Sequence, residues 1–360
     1  MLLDCELAIM YTIIQLIATI MYLNLDIVCN IGVYANLTEC NHYGKPAELG
    51  KPLEIIEVGP RDGLQNESVI FGAAQKLRMI TSAIDAGITR LEVASFVNPK
   101  RVPQMADGER VIAGLPDISD VIYIGLVLNK RGLYRALDTR KNGRRGIDEV
   151  GLVAVATDTF AAKNQGQTSL GSAELCRDML KLAQAEGMRA QVTLSAAFGC
   201  PFEGRVDFDH VIAMAQIIAE ASPLEIAVAD TIGVASPARV TELIERLNEK
   251  LPSIPLRAHF HNTRGTGIAN AYAAYQGGVR TLDASIGGLG GCPFAPKATG
   301  NIATEDLVYM LEESGISTGL NLIKLMETTK WIEKILGRPV PGMVSQAGSF
   351  PDGSSDSCAA

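Results

Sequence analysis

Eight short apolar runs, rich in β-branched residues, succeed one another at 53–58, 88–94, 121–128, 150–156, 190–196, 224–229, 256–261 and 279–286. Their length and composition read as strands. The segments between them place apolar residues near helical spacing, most plainly at 73–86, 172–186 (closed by Gly187), 211–220, 237–250 and 268–276. Strand and helix in alternation build parallel βα units rather than an antiparallel sandwich. Eight units need about 250 residues, which the span from Pro52 to about Leu311 supplies. The expectation is an α/β protein of the (β/α)8 TIM-barrel class with a C-terminal helical extension. The barrel domain should cover 47–340, with a flexible tail over 341–360.

Residues 1–46 do not share this pattern. From 7 to 25 the chain is uncharged and mostly Ile, Leu, Met and Tyr, a length that can just span a bilayer. No Lys or Arg precedes Lys45, so the basic flank of a signal peptide, the arginines of a transit peptide and a positive-inside anchor are all missing. The expectation is a hydrophobic extension outside the fold, with a membrane anchor and an interfacial or partner-binding helix as the alternatives. Seven cysteines in 360 residues are too sparse for a disulfide scaffold, and their odd number fits a reducing compartment. No import signal or peroxisomal C-terminal tripeptide is readable, which makes the cytoplasm the expected location.

Barrel enzymes work at the C-terminal ends of their strands, and the polar residues gather there. The first strand leads into Arg61 and Asp62, the second carries Glu92, the third ends at Asn129, the sixth at Asp230, and the seventh at His259 and His261; Cys292 and Asn301 follow the eighth. His259 and His261 are two apart on a strand, so they share a face and can converge on one ion. A pair of structural histidines is the competing reading. Asp62 and Asn301 become neighbours of the pair once the sheet closes, and two imidazoles with oxygen donors favour Mg²⁺ or Mn²⁺. The lack of a Cys pair at ligand spacing argues against zinc. Arg61 either aims at a bound carbonyl or carboxylate or closes a loop with a salt bridge. Cys292 follows Gly287, Gly288, Gly290 and Gly291; it is either a thiol on a mobile loop over the barrel mouth or a buried inert cysteine. That glycine run is no dinucleotide fingerprint, because Pro293 stands where its last glycine belongs. Seven basic residues run from Lys130 to Arg145, Arg144 among them; they make a solvated helix face or a site for a coenzyme phosphate, with Asn129 and Lys130 at its active-site end. A net charge of −8 excludes nucleic acid as a natural partner.

Taken together, VGPRDGLQNE (58–67), SFVNPK (95–100) with VPQM (102–105), GCPFEG (199–204), DTIG (230–233), GLGGCPFA (288–295) and GNIATEDLVYML (300–311) resemble the 3-hydroxy-3-methylglutaryl-coenzyme A lyase family, whose members are metal-dependent (β/α)8 barrels. The resemblance runs from about Leu53 to Arg338. It implies cleavage of a 3-hydroxy-3-methylglutaryl thioester to acetyl-CoA and acetoacetate, with the cation held by Asp62, His259, His261 and Asn301. It further implies His259 as base, with Asp62 as the rival, Arg61 as the stabiliser of the enolate charge, and Cys292 as the proton donor to carbon. Glu92 and Asp230 would orient the base and Arg61. A homodimer is also implied.

Two departures stand out. Where the family commonly reads H-C-H-D-T-Y-G, this chain has Asn262 and Arg264 after His261; Arg264 is expected to bring a cation to the substrate mouth, where either change can alter the acyl group accepted. Near Arg338, relatives often carry more polar and basic residues that help hold coenzyme A. The nearest rival function is the same chemistry on another branched 3-hydroxyacyl-CoA such as citramalyl-CoA. The related synthases lack the Gly-Gly-Cys-Pro loop, and a catalytically dead, membrane-tethered barrel would have no use for the intact polar set.

Overall fold

The computed structural model describes residues 53–141, 145–291, 300–348 and 350. Eight parallel strands close into a barrel: β1 (Glu54–Glu57), β2 (Arg90–Ser95), β3 (Ile122–Val127), β4 (Glu149–Val155), β5 (Arg189–Ser195), β6 (Ile226–Asp230), β7 (Leu256–Phe260) and β8 (Thr281–Ala284). Each strand pairs with its neighbours in sequence, and β8 returns to β1 with Glu54 opposite Thr281 and Glu57 opposite Ala284. Every expected strand is present, displaced by a few residues at most.

Helices cover the outside: α1 (Ala73–Asp85), α2 (Gly108–Ala113), α3 (Lys130–Asp138), α4 (Asp158–Gln165), α5 (Ser169–Ala185), α6 (Phe208–Ala219), α7 (Pro237–Lys250) and α8 (Gly267–Gln276). The C-terminal extension is α9 (Thr304–Glu313), α10 (Leu322–Leu336) and the single turn α11 (Val344–Ala347). Two helices begin earlier than the apolar pattern indicates, because polar caps rather than apolar spacing set helix starts. Thr168 accepts from Gly171 N–H at the head of α5, and Asp207 accepts from Asp209 N–H at the head of α6. The preceding helix α4 escaped the sequence reading; its weakly amphipathic stretch ends at the left-handed Gly166.

Period-two alternation in each strand separates two rows. Ile55, Leu91, Leu152, Val192, Val228 and Leu282 face outward into one large apolar core beneath the helices. The inward row is different: Ile56, Val58 and Ile124 form only a small interior cluster, and buried charges occupy much of the rest.

Two expectations about the chain's ends meet the structure differently. Part of the stretch expected as loose tail from 341 is seated: Asp306 accepts the N–H groups of Met343 (3.0 Å) and Val344 (2.7 Å), and Ser345 donates to Glu305. These bonds give the α11 turn a fixed anchor on α9. The hydrophobic stretch 7–25 lies outside the described residues, among which no helix is long and apolar enough to cross a membrane.

Candidate functional site

Beyond β1 the backbone tightens into a five-residue turn, Gly59–Gly63, in which the N–H groups of Arg61, Asp62 and Gly63 all reach Val58 O. The turn packs so closely that a Cβ on Gly59 would lie 2.4 Å from Glu57 Oε1 and one on Gly63 2.5 Å from Ser285 Oγ. A larger residue at either end would force these side chains to shift. The turn delivers Arg61 and Asp62 over the barrel mouth. Arg61 Nη1 donates to Asp62 Oδ1 (2.7 Å) and Nη2 to Glu92 Oε2 (2.5 Å), which fixes the guanidinium plane between two carboxylates.

The other oxygen of Asp62 accepts from Asn301 Nδ2 at 2.9 Å. Asn301 is held in turn by Leu289 O and by a backbone bridge to His261. Gly300 makes that bridge possible, since at φ +110° any Cβ would lie 2.1 Å from Gly290 O. From β7, His259 Nδ1 lies 3.0 Å from Asp283 Oδ2, and the two histidine rings sit with centroids 5.3 Å apart. One ligand atom from each of Asp62, His259 and His261 falls within 4.8 Å of the others.

The donor set suits a divalent cation. His261 Nδ1 and Asn301 Oδ1 are buried without a hydrogen-bond partner, the condition of groups waiting for a ligand. Burial, reinforced by neighbouring His259, pushes His261 down to about 4, so its lone pair is free at neutral pH. Burial acts to raise Asp62, but Arg61 and the two imidazoles outweigh it and hold the carboxyl at about 2, leaving it ionised. Burial acts to lower His259, but the bond to Asp283 and that group's charge raise it instead. Burial raises Glu92 in spite of Arg61.

These groups line a cavity of about 420 Å³ that descends into the barrel. Arg61, Asp62, Glu92, His259 and His261 all contribute to its wall, and Asn301 braces it through Asp62. Asp230 is placed elsewhere: fully buried, it accepts from Val234 N–H (2.9 Å) and Ala235 N–H (2.8 Å) and shapes the β6–α7 loop. Asp283, not Asp230, bonds the His259 ring.

The expected coenzyme contacts also divide. Asn129 caps α3 through Gly132 N–H and borders an adjoining cavity of about 470 Å³. Lys130 is exposed and lines neither cavity. Arg264 does not reach the substrate mouth; it donates to the carbonyls of Ile232 and Gly233 (3.1 and 2.8 Å), because the β6–α7 loop offers unpaired acceptors beside it. Much of the basic run is spent on structure, with Arg135 bonded to Phe96 O and Val97 O and Arg145 to Pro116 O. The cations that border both cavities are Arg101 and Lys163, which the sequence reading did not select. Cys292 and Arg144 lie outside the described residues.

A family model described as HMGL-like matches residues 52–332. The chain is 40% identical over 291 residues to hydroxymethylglutaryl-CoA lyase YngG of Bacillus subtilis (strain 168), covering 81% of this chain and 95% of the relative. It is 39% identical over 305 residues to (R)-citramalyl-CoA lyase of Chloroflexus aurantiacus, covering 82% and 94%. Among solved structures, an HMG-CoA lyase from Acinetobacter baumannii in complex with coenzyme A and 3-methylmalate superposes with a TM-score of 0.78 at 37% identity, covering 84% of this chain and 96% of that one.

Proposed function

The chain belongs to the HMGL-like family, and from that premise we propose that it is a carbon–carbon lyase cleaving 3-hydroxy-3-methylglutaryl-CoA to acetyl-CoA and acetoacetate. The observation that carries this reading is the Asp62–His259–His261 cluster with its unpartnered donor atoms at the wall of a substrate-sized cavity. Mg²⁺ or Mn²⁺, held by Asp62, His259, His261 and Asn301, would polarise the substrate's tertiary hydroxyl and a carboxylate oxygen.

The protein's own groups divide the remaining work. His259 has Nδ1 committed to Asp283, so Nε2 carries its one available lone pair, and that pair serves as ligand or as base but not both at once. His259 would be a ligand of the cation in the free protein, and we assign the same Nε2 to the hydroxyl proton when substrate is bound. Cleavage of the C2–C3 bond leaves an enolate at the thioester. Arg61, locked between Asp62 and Glu92 and with Nε buried and unpaired, is the donor placed to stabilise that charge. Cys292 is the proposed acid that protonates the enolate carbon. Arg101 and Lys163 at the cavity wall are the proposed contacts for the anionic coenzyme, with Asn129 bordering the same channel.

Acetoacetate release from 3-hydroxy-3-methylglutaryl-CoA with Mg²⁺, beside a chelated control, tests this. Metal-dependent turnover at about 1–10³ per second supports it; a folded, metal-loaded sample with no turnover overturns it. The 39% identity to a citramalyl-CoA lyase favours one second reading, in which the same residues release pyruvate from citramalyl-CoA, and the same assay with that thioester decides between them. A cytoplasmic homodimer with residues 1–46 outside the barrel completes the proposal.

A further inference from the structure

Below the metal cluster, Asp283 is joined to a chain of largely buried charges in the barrel interior that the steps above do not use. Arg90 on β2 meets Glu54 (3.0 Å), Glu149 (2.5 Å) and Glu225 (2.9 Å). Glu225 Oε1 lies 3.4 Å from Nε of Arg257 on β7, whose Nη1 lies 3.3 Å from Asp283 Oδ1 and whose Nη2 donates to Thr193 Oγ1 at 2.9 Å. Asp283 thus has an ion pair to Arg257 at Oδ1, without hydrogen-bond geometry, and a hydrogen-bond contact to His259 Nδ1 at Oδ2. Arg257 and His259 are two apart on one strand, so they point into the barrel one layer apart.

A buried guanidinium at this position is costly to desolvate, and barrel interiors are ordinarily filled by branched aliphatics. Arg257 faces three different partners at once, Thr193 through a hydrogen bond and Glu225 and Asp283 as ion pairs, a spread that a planar fork achieves and a point charge does not. We propose that Arg257 is a positioning residue of the lyase. Braced by Glu225 and Thr193, it fixes the Asp283 carboxylate, and Asp283 fixes the His259 ring so that Nε2 faces Asp62 and His261. Partners behind a metal-binding histidine set its tautomer and orientation; here the partner has a partner of its own. The inference rests on the reading that Asp62, His259 and His261 hold a divalent cation.

The test is calorimetric titration of the metal-free protein with Mn²⁺, together with kcat and KM, for the wild type, Arg257→Lys, Asp283→Asn, the double variant and Thr193→Val. Arg257→Lys is expected to melt near the wild type, bind Mn²⁺ about 10-fold more weakly and lose more in kcat than in KM. On the Asp283→Asn background the same change should have no further effect, because the route through Asp283 is already cut. Thr193→Val removes one brace and leaves the charge, so it should shift Mn²⁺ affinity in the same direction by less. Wild-type Mn²⁺ affinity and kcat in Arg257→Lys overturn the inference, as does a loss that persists in full on top of Asp283→Asn. Should Arg257→Lys fail to fold, an unshifted Thr193→Val overturns it equally. A wild type that binds no Mn²⁺ refutes the metal reading itself and this inference with it.

Discussion

The same eight strands build two different interiors. Their outward row meets the helices through aliphatic side chains such as Leu152, Val192, Val228 and Leu282, each fully buried. Their inward row carries Arg90, Glu92, Glu149, Gln191, Glu225, Arg257 and Asp283, nearly as deeply buried. Apolar burial at about 25 cal/mol per Å² makes the outer layer the source of stability. Buried ion pairs add little net stability, since desolvation offsets their attraction. Stability and chemistry are therefore assigned to opposite faces of one sheet, and substitutions should separate them.

The largest separation is expected at the metal cluster. His261→Ala should abolish Mn²⁺ binding and bring acetoacetate release to background while the thermal melt changes little; retained metal-dependent turnover would remove His261 from the ligand set. Next comes Arg61→Gln, which keeps a donor but loses the charge and fork. It should lower kcat by about 10²–10³ with KM changing less, as steady-state kinetics will read.

Deeper in the barrel the inward row should act on stability too, which would blur the division. Arg90→Leu leaves Glu149 and Glu225 buried without their main partner. A loss of about 3–5 kcal/mol is expected in urea unfolding; a neutral result would mean water reaches the interior. The outer layer should behave in the opposite sense. Leu243→Ala on α7, fully buried in the outer core, should cost about 2–5 kcal/mol and leave kcat per folded molecule unchanged.

This division also explains what the sequence could and could not disclose. Outward residues are mostly apolar, Glu57 and Asp230 excepted, so the strands and the barrel are legible from periodicity. The histidine pair is legible because His259 and His261 share a face at a strand end. Arg257 completes the same i, i+2, i+4 row, and Asp283 sits opposite His259 in the β7–β8 register. Seeing that pair required knowing which strands adjoin and how far they are staggered. Arg264 failed for the converse reason: its position in sequence is beside the site, but backbone carbonyls of the next loop capture its guanidinium. Lys163 was hidden on a helix whose apolar pattern is too weak to announce it.

Glu57 is an exception that sharpens the contrast, being a carboxyl in the outward row at 0% exposure. It accepts from Gly59 N–H (2.8 Å), Ile286 N–H (3.0 Å) and Thr304 Oγ1 (2.6 Å), tying the turn after β1 to the base of the glycine-rich loop. Burial nevertheless pushes it up to about 8, with the three hydrogen bonds opposing. An acid whose folded pKa lies above its unfolded value of 4.5 contributes stability below pH 4.5 and loses it as pH rises to about 8, because the unfolded state releases the proton first. Within that window the loss runs at about 1.4 kcal/mol per pH unit. Glu57→Gln keeps an acceptor for the two N–H groups and cannot ionise, so its unfolding free energy should lack this contribution to the slope between pH 6 and 7.5. Parallel slopes for the two proteins in urea unfolding at those pH values would show that Glu57 is already ionised in the fold, stabilised by its three donors against the apolar layer around it.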